Sequence, residues 1–142
     1  MGTSFQVVFD CADPTRLAAF WAEALGYLEQ NPPEGFATWQ DFLQNIGIPE
    51  EQWNDANAVV DPDGKLPRIY FQKVPEGKTV KNRVHLDLNV GAGLEDDERR
   101  ITVRAEAERL IGCGATLLYE GDERGEFWVT MQDPEGNEFC LQ

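Results

Sequence analysis

The sequence carries the same order of elements twice, and this duplication limits its fold more than any other feature. In each half a strand-like segment leads into a helical segment, and further strand-like segments follow around a matching Asp-Pro-x-Gly turn. The segments are 5–10, 14–25 and the turn 61–64 in the first half, and 83–90, 99–111 and the turn 133–136 in the second. A β-α-β-β-β unit used twice predicts an α+β fold with mostly antiparallel strands and helices on the outside. We expect the two units to form a cupped sheet with one shared pocket.

The length of 142 residues suits a single domain built from two small modules. Module 1 is predicted over about residues 4–75, with a helical insertion over about 36–55. Module 2 is predicted over about residues 83–142. The basic, turn-rich stretch 75–82 is the predicted linker.

Composition excludes several classes of partner. A net charge of −14 argues against nucleic acid and anionic membrane surfaces, because both require clustered Lys and Arg. No apolar run is long enough to cross a membrane. The first residues lack a signal-peptide pattern, and the three cysteines are odd in number and widely spaced. We therefore predict a cytoplasmic protein without a disulfide framework.

Each predicted helix has a recognisable start and a buried stripe. Asp13 is the predicted N-cap of the first helix, with Pro14 in its first turn and Gly26 as the C-cap. In the second helix, the predicted inward-facing residues are Ile101, Ala105, Leu110 and Ile111.

Strand alternation places an unusually polar set of side chains on one face of the predicted sheets. Such a face can simply meet water, as one face of an antiparallel sheet often does. Histidine and cysteine are unusual on a sheet face that only contacts solvent, and their presence favours a binding site. The polar set is Gln6, Asp10, Tyr70, Gln72, His85, Asp87, Asn89, Glu138, Cys140 and Gln142, and an apolar wall is predicted from Trp39, Trp53, Tyr70 and Trp128.

Several segments resemble the glyoxalase-like domain of the vicinal oxygen chelate superfamily. They are Asp10-Cys-Ala-Asp-Pro14, Leu17-Ala-Ala-Phe-Trp21, the stretch 67–75, the stretch 78–87 and the stretch 133–140. The resemblance covers nearly the whole chain and implies the two-module cupped fold. It is less specific for activity, because this fold hosts isomerases, lyases, ring-cleaving dioxygenases, thiol transferases and drug-sequestering proteins.

The resemblance also implies which positions would hold a metal. The matching first-strand positions are Gln6 and His85, and the matching last-strand positions are Gln72 and Cys140, where relatives usually have glutamate. Neutral amides are poor ligands for a divalent metal. A soft metal such as zinc would use His85 and Cys140, with help from Asp87 or Glu138.

Individual residues keep alternative interpretations. His85 is a metal ligand, a general base or a plain hydrogen-bonding side chain. Cys140 is a candidate nucleophile, although a reactive thiol needs a cation or a helix N-terminus nearby. Trp39 and Trp53 either line a pocket or pack only within the insertion. Cys11 and Cys113 are interpreted as structural.

The leading hypothesis is a glyoxalase-like protein that binds a small organic molecule, with a degenerate metal site and no cofactor. Its ligand-binding residues would be Gln6, Trp39, Trp53, Tyr70, Gln72, His85, Trp128 and Glu138. The alternative is a metal-dependent lyase, isomerase or dioxygenase that uses Gln6, Gln72, His85 and Cys140 with Zn, Ni, Mn or Fe, His85 and Cys140 being the catalytic candidates. A partner-binding module without a ligand is a third hypothesis. The resemblance also implies a homodimer.

Overall fold

A computed structural model describes residues 1–142 and divides the chain into two compact units. Module 1 is Met1–Gly77 and module 2 is Lys78–Gln142, so the boundary falls inside the predicted linker. Each module has its own four-stranded mixed sheet. The α+β prediction, with a β-α-β-β-β order in each module, is confirmed.

Module 1 contains one long helix, a four-stranded sheet and a helical insertion. Its sheet has the order β1-β4-β3-β2, in which β1 and β4 are parallel and the other neighbours are antiparallel. Its elements are β1 Val7–Cys11, α1 Pro14–Leu25, β2 Leu28–Glu29, α2 Trp39–Asn45, a 3-10 helix Glu50–Gln52, β3 Ala56–Val60 and β4 Ile69–Lys73.

Module 2 repeats this topology without the insertion. Its sheet has the order β5-β8-β7-β6, with β5 and β8 parallel and the other neighbours antiparallel. Its elements are β5 Asp87–Leu88, α3 Asp96–Gly112, β6 Thr116–Glu123, β7 Glu126–Gln132 and β8 Glu138–Leu141. No helix in either module combines the length and apolar character required to cross a membrane.

The first helix begins and ends where its capping residues predict. The Asp13 carboxylate accepts a hydrogen bond from the Arg16 backbone N–H at 3.2 Å, and Gly26 adopts the left-handed conformation with φ of 68°. The buried stripe of α1 packs on one face of the sheet, where the Trp21 and Phe9 rings meet edge to face at 5.0 Å. The other face of this sheet is therefore free of α1.

The predicted inward face of the second helix is largely wrong. Ile101 is 68% exposed and Ile111 is 40% exposed, and of the four predicted residues only Leu110 is buried. The buried stripe is Val103, Ala107 and Leu110.

Arginine side chains account for this difference. The Arg100 and Arg104 guanidinium groups lie over the Phe127 ring at 4.8 and 4.9 Å. Long arginine side chains thus cover apolar sheet surface that isoleucines were expected to cover. The ion pairs Arg100–Asp122 and Arg104–Glu120 hold them there.

The strand predicted over 83–90 is also shorter than expected. Only Asp87–Leu88 forms a strand, and Val84 is 82% exposed. The segment lies at the edge of its sheet, so β8 is its only strand neighbour. The Cys140 N–H still donates to the Leu86 carbonyl at 3.0 Å, which aligns His85 beside β8 although His85 precedes the strand.

The two Asp-Pro-x-Gly turns are built in the same way. The Asp61 carboxylate accepts backbone hydrogen bonds from Asp63, Lys65 and Leu66. The buried Asp133 carboxylate accepts backbone hydrogen bonds from Glu135 and Asn137. Gly64 and Gly136 have φ of 67° and 86°, a region that favours glycine. Both turns have a structural explanation in these contacts.

Candidate functional site

The polar face of module 1 lies opposite α1 and carries Tyr70 and Gln72 of the predicted polar set. Tyr70 is aligned with Val8 and Gln72 with Asp10, whereas Phe71 is aligned with Phe9 on the helix-covered face. The Gln72 Nε2 donates to Asp10 Oδ1 at 2.7 Å. Gln72 is thus oriented by a neighbouring carboxylate on an exposed part of the sheet.

Gln6 is held by an arginine that the sequence interpretation did not include. Arg68 Nη1 donates to Gln6 Oε1 at 2.9 Å, and Arg68 Nε donates to Gln30 Oε1 at 2.7 Å. The guanidinium also lies 5.3 Å from the centre of the Tyr70 ring. The amide oxygen of Gln6 therefore faces a positive charge. Period-two alternation, which singled out Tyr70 and Gln72, would also have identified Arg68 on the same face.

The helical insertion is attached to α1 at its C-terminal end, and its helix α2 has no fully buried residue. The Asn54 Oδ1 accepts hydrogen bonds from the Thr15 N–H at 2.9 Å and hydroxyl at 2.6 Å, which attaches the end of the insertion to α1. Thr38 caps α2 by accepting from the Asp41 N–H at 3.1 Å. No residue of α2 is fully buried. The insertion thus lines an open space instead of filling it.

That space is a cavity of about 480 Å³ that lies entirely within module 1. Its aromatic walls include Trp39, Trp53 and Tyr70. The Trp39 Nε1 donates to the Gln30 carbonyl at 2.7 Å, and the Trp53 Nε1 donates to the Ile48 carbonyl at 3.0 Å, so both indoles are oriented. The remaining lining residues are Thr15, Glu29, Gln30, Gln40, Leu43, Ile46, Ile48, Gln52, Asp55, Ala56, Asn57, Ala58 and Arg68.

In module 2, three side chains with metal-ligand atoms lie close together. The ligand atoms of His85, Asp87 and Cys140 are all within 4.8 Å of one another. His85 Nε2 is 3.1 Å from Asp87 Oδ1, and both side chains are exposed to solvent. Asp87 and Cys140 are register partners on β5 and β8.

The surroundings of Cys140 do not favour a thiolate. Burial raises the pKa of the Cys140 thiol, and the nearby Asp87 carboxylate raises it further. The contact with the Thr130 hydroxyl at 3.4 Å lowers the pKa, but its effect is smaller than that of burial. At neutral pH the free thiol is protonated, which disfavours its use as a nucleophile.

Glu138 is engaged by partners outside this cluster. Its carboxylate lies 3.0 Å from Lys78 Nζ and accepts the Asn82 backbone N–H at 3.0 Å. Burial alone would raise its pKa, but the hydrogen bonds from Asn82 and Lys78 outweigh burial and lower the pKa to about 2. Glu138 therefore carries its charge at all ordinary pH values and serves first as the anchor of Lys78.

Trp128 lies flat over the neighbouring strand of module 2. It is aligned with Gly121, and a Cβ placed on Gly121 would overlap the indole. The glycine therefore makes room for the ring. Trp128 alternates with the buried Phe127 and Val129, so its ring lies on the face opposite α3.

The two modules differ in how well their residues fit a metal. In module 1, the guanidinium of Arg68 lies 2.9 Å from the oxygen that Gln6 would offer to a metal ion. The positive charge of the guanidinium would repel the metal ion. In module 2, an imidazole, a carboxylate and a thiol form the three-ligand set that leaves a fourth position open on zinc. Tetrahedral zinc separates its ligand atoms by roughly 3.5 Å, so small side-chain adjustments suffice. The module 2 residues fit a soft metal.

The structure thus sorts the predicted site residues into two groups. Trp39, Trp53 and Tyr70 share the cavity of module 1. His85 and Cys140 meet in module 2, joined by Asp87. The expectation that Gln6, Gln72, His85 and Cys140 share one pocket stays a prediction.

Comparison with known proteins defines the family. The model of the glyoxalase-like domain matches residues 6–142. No curated protein matches the chain. Among solved structures, a glyoxalase/bleomycin resistance protein/dioxygenase family enzyme from Burkholderia phytofirmans is 17% identical with a TM-score of 0.60, covering 96% of this chain and 94% of its own.

Two further structures have the same fold. A mutant of the fosfomycin resistance protein FosX from Listeria monocytogenes, complexed with Mn(II) and 1S,2S-dihydroxypropylphosphonic acid, is 13% identical with a TM-score of 0.63, covering 100% of this chain and 90% of its own. A hypothetical protein from S. aureus is 13% identical with a TM-score of 0.59, covering 99% and 96%. The match over residues 6–142 establishes that the chain belongs to the glyoxalase-like domain family of the vicinal oxygen chelate superfamily.

Proposed function

We propose that the protein binds a small, partly aromatic organic molecule, and that the cavity of module 1 is the binding site. The observation that supports this proposal most is a cavity of about 480 Å³ lined by Trp39, Trp53 and Tyr70. This volume lies within the range of small-molecule sites. Both indoles are held by hydrogen bonds to backbone carbonyls, so little side-chain entropy is lost when a flat ligand enters.

The cavity also offers polar groups that would orient a ligand. Gln40 and Gln52 stand among its apolar side chains. A mostly apolar site with a few polar groups binds through burial of apolar surface and selects through hydrogen bonds. The predicted ligand contacts of Gln6, Gln72, His85, Trp128 and Glu138 stay predictions and are not part of this proposal, because none of these residues lines the cavity.

A thermal-shift screen of aromatic compounds tests the proposal, because a ligand of the folded state raises the melting temperature. The cavity-filling variant Ala56→Leu should remove the shift caused by any hit, since Ala56 lines the cavity. Ala105→Leu, on the exposed side of α3, makes the same chemical change away from the cavity and should keep the shift. A hit that still stabilises Ala56→Leu would place binding elsewhere.

The second candidate function is a metal-dependent lyase, isomerase or dioxygenase. The proximity of His85, Asp87 and Cys140 favours it. These three residues would hold the metal, and the thiol and imidazole favour zinc over manganese. A bound zinc ion would supply Lewis-acid chemistry. Metal analysis of protein purified without chelators, repeated on His85→Ala, tests this candidate. A cytoplasmic location and a homodimer also stay predictions.

A further inference from the structure

We propose that Arg68 is the specificity residue of the module 1 cavity and that the ligand is an aromatic molecule carrying an anionic group, such as a carboxylate. This inference rests on the proposed function, because it names the ligand class for the same cavity. Among the lining residues, Arg68 is the only one with a basic side chain.

The hydrogen bonds of Arg68 orient its guanidinium without neutralising it. Its partners are the amide oxygens of Gln6 and Gln30, at 2.9 and 2.7 Å. Amide oxygens carry no formal charge, so the cation keeps its full attraction for an anion. The arginines of α3 differ, because Arg99, Arg100, Arg104 and Arg109 each contact a carboxylate.

Arg68 also keeps donors for a ligand. Its Nε and Nη1 each donate once, and Nη2 makes no hydrogen bond within the protein. A guanidinium has more N–H groups than these two bonds use, and its planar fork matches the two oxygens of a carboxylate. Charge-assisted bonds of this kind are about twice as strong as neutral ones.

The aromatic side chains place this cation beside a stacking surface. Arg68 lies 5.3 Å from the centre of the Tyr70 ring, and both residues line the cavity with Trp39 and Trp53. A flat ring packed on these side chains would bring an attached anion to the guanidinium. The ligand class therefore combines an aromatic ring with an acid.

Two carboxylates also line the cavity, and strand geometry separates them from Arg68. Ala58 is aligned with Tyr70, so Asn57 and Asp55 alternate onto the other face of β3. Glu29 shares that other face, because the Asn57 Nδ2 lies 3.5 Å from its Oε1. Arg68 is therefore the charged lining residue on the face that carries Tyr70. Asp10 shares this face, but it accepts a hydrogen bond from Gln72 and does not line the cavity.

Matched probes test this inference by calorimetry on the full chain. We expect 2-naphthoate to bind about tenfold more tightly than the neutral 2-naphthamide. Arg68→Gln should erase this preference while leaving 2-naphthamide binding in place. Arg68→Lys should keep part of it, because a lysine retains the charge without the fork. Lys65→Gln removes an exposed charge outside the cavity and should keep the full preference.

The outcomes separate the two proposals. Equal binding of 2-naphthoate and 2-naphthamide, tighter binding of 2-naphthylmethylamine, or a preference that persists in Arg68→Gln would overturn the role of Arg68 and leave the cavity standing. Binding of none of the three probes would overturn the cavity as the site for such molecules. The comparison of probes on the native protein is decisive even if Arg68→Gln fails to fold.

Discussion

Modules 1 and 2 share one topology but use the sheet face opposite their helix differently. In module 1 the segment between β2 and β3 carries α2 and the 3-10 helix, and a cavity of about 480 Å³ lies beside it. In module 2 the corresponding connection between β6 and β7 is a short turn, and the polar face carries the cluster of His85, Asp87 and Cys140. Two modules with the same backbone topology therefore differ in their chemistry because one connection is longer and a few side chains differ.

The two modules also differ in the charged side chains that are available to a ligand. In module 1 a guanidinium is held by two amides and stays available to an anion. In module 2 the arginines of α3 are paired with carboxylates, and the polar face offers a carboxylate and an imidazole. Module 1 thus suits an organic anion, whereas module 2 suits a cation.

The largest expected effect concerns the metal preference of module 2. We expect Cys140→Ser to weaken Zn²⁺ binding about 100-fold, because a weak hydroxyl ligand replaces a thiolate. Competition with a chromophoric chelator measures the affinity. Cys113→Ser removes the other free thiol of module 2 and should bind Zn²⁺ as the native protein does. Equal affinity of both variants would remove the distinction between the modules.

A smaller effect is expected for a tryptophan of module 1. Trp53→Ala should weaken binding of an aromatic ligand about 30-fold, about 2 kcal/mol, because a stacking wall is lost. Fluorescence titration measures the change, with the melting temperature as a check on folding. The matched control Trp128→Ala, in module 2, should bind normally. Loss of affinity in the control alone would assign the ligand to the other module.

The close approach of Trp128 and Gly121 predicts a stability effect confined to module 2. We expect Gly121→Ala to lower the free energy of unfolding by about 1–2 kcal/mol, since the new methyl group would overlap the indole. Gly77→Ala is the control, because no atom lies within 4 Å of its added Cβ. Urea denaturation compares the two variants, and equal stabilities would refute the packing of Trp128 on Gly121.

The smallest expected effect is the acid sensitivity that Glu138 gives to module 2. Its pKa is lowered from 4.5 to about 2, so its stabilising contribution is present above pH 4.5 and is lost as the pH falls toward 2. On acidification the free energy of unfolding should fall by about 1 kcal/mol less in Glu138→Gln than in the native protein. This magnitude allows for partial screening of the carboxylate by solvent. The exposed Glu126→Gln should keep the native pH profile. Identical profiles for both variants would contradict the role of Lys78 and Asn82.

Local signals in the sequence predicted the backbone well. Asp13, Pro14 and Gly26 gave the bounds of α1 because capping is decided by residues close together in the chain. Apart from Leu110, the buried stripe of α3 was not predicted, because it depends on arginines that reach carboxylates on β6, far away in sequence. Hydrophobicity ranks isoleucine above arginine for burial, yet here the ion-paired Arg100 is less exposed than the neighbouring Ile101.

The candidate site was less accessible to sequence reasoning. Alternation placed Tyr70, His85 and Cys140 on polar faces, but contact between His85, Asp87 and Cys140 requires the alignment of β5 with β8. The cavity depends on an insertion whose helical stripe stays unburied, which no periodicity indicates. Arg68 was overlooked because lone cations on acidic proteins are usually solvated.

The indole N–H signals of the four tryptophans, observed by ¹⁵N NMR during titration with an aromatic ligand, test the location of binding most directly. Trp39 and Trp53 line the cavity, Trp21 is 1% exposed in the core, and Trp128 lies in module 2. We predict that the Trp39 and Trp53 signals shift together while those of Trp21 and Trp128 stay in place. A shift of Trp128 with the Trp39 and Trp53 signals unchanged would contradict binding in module 1.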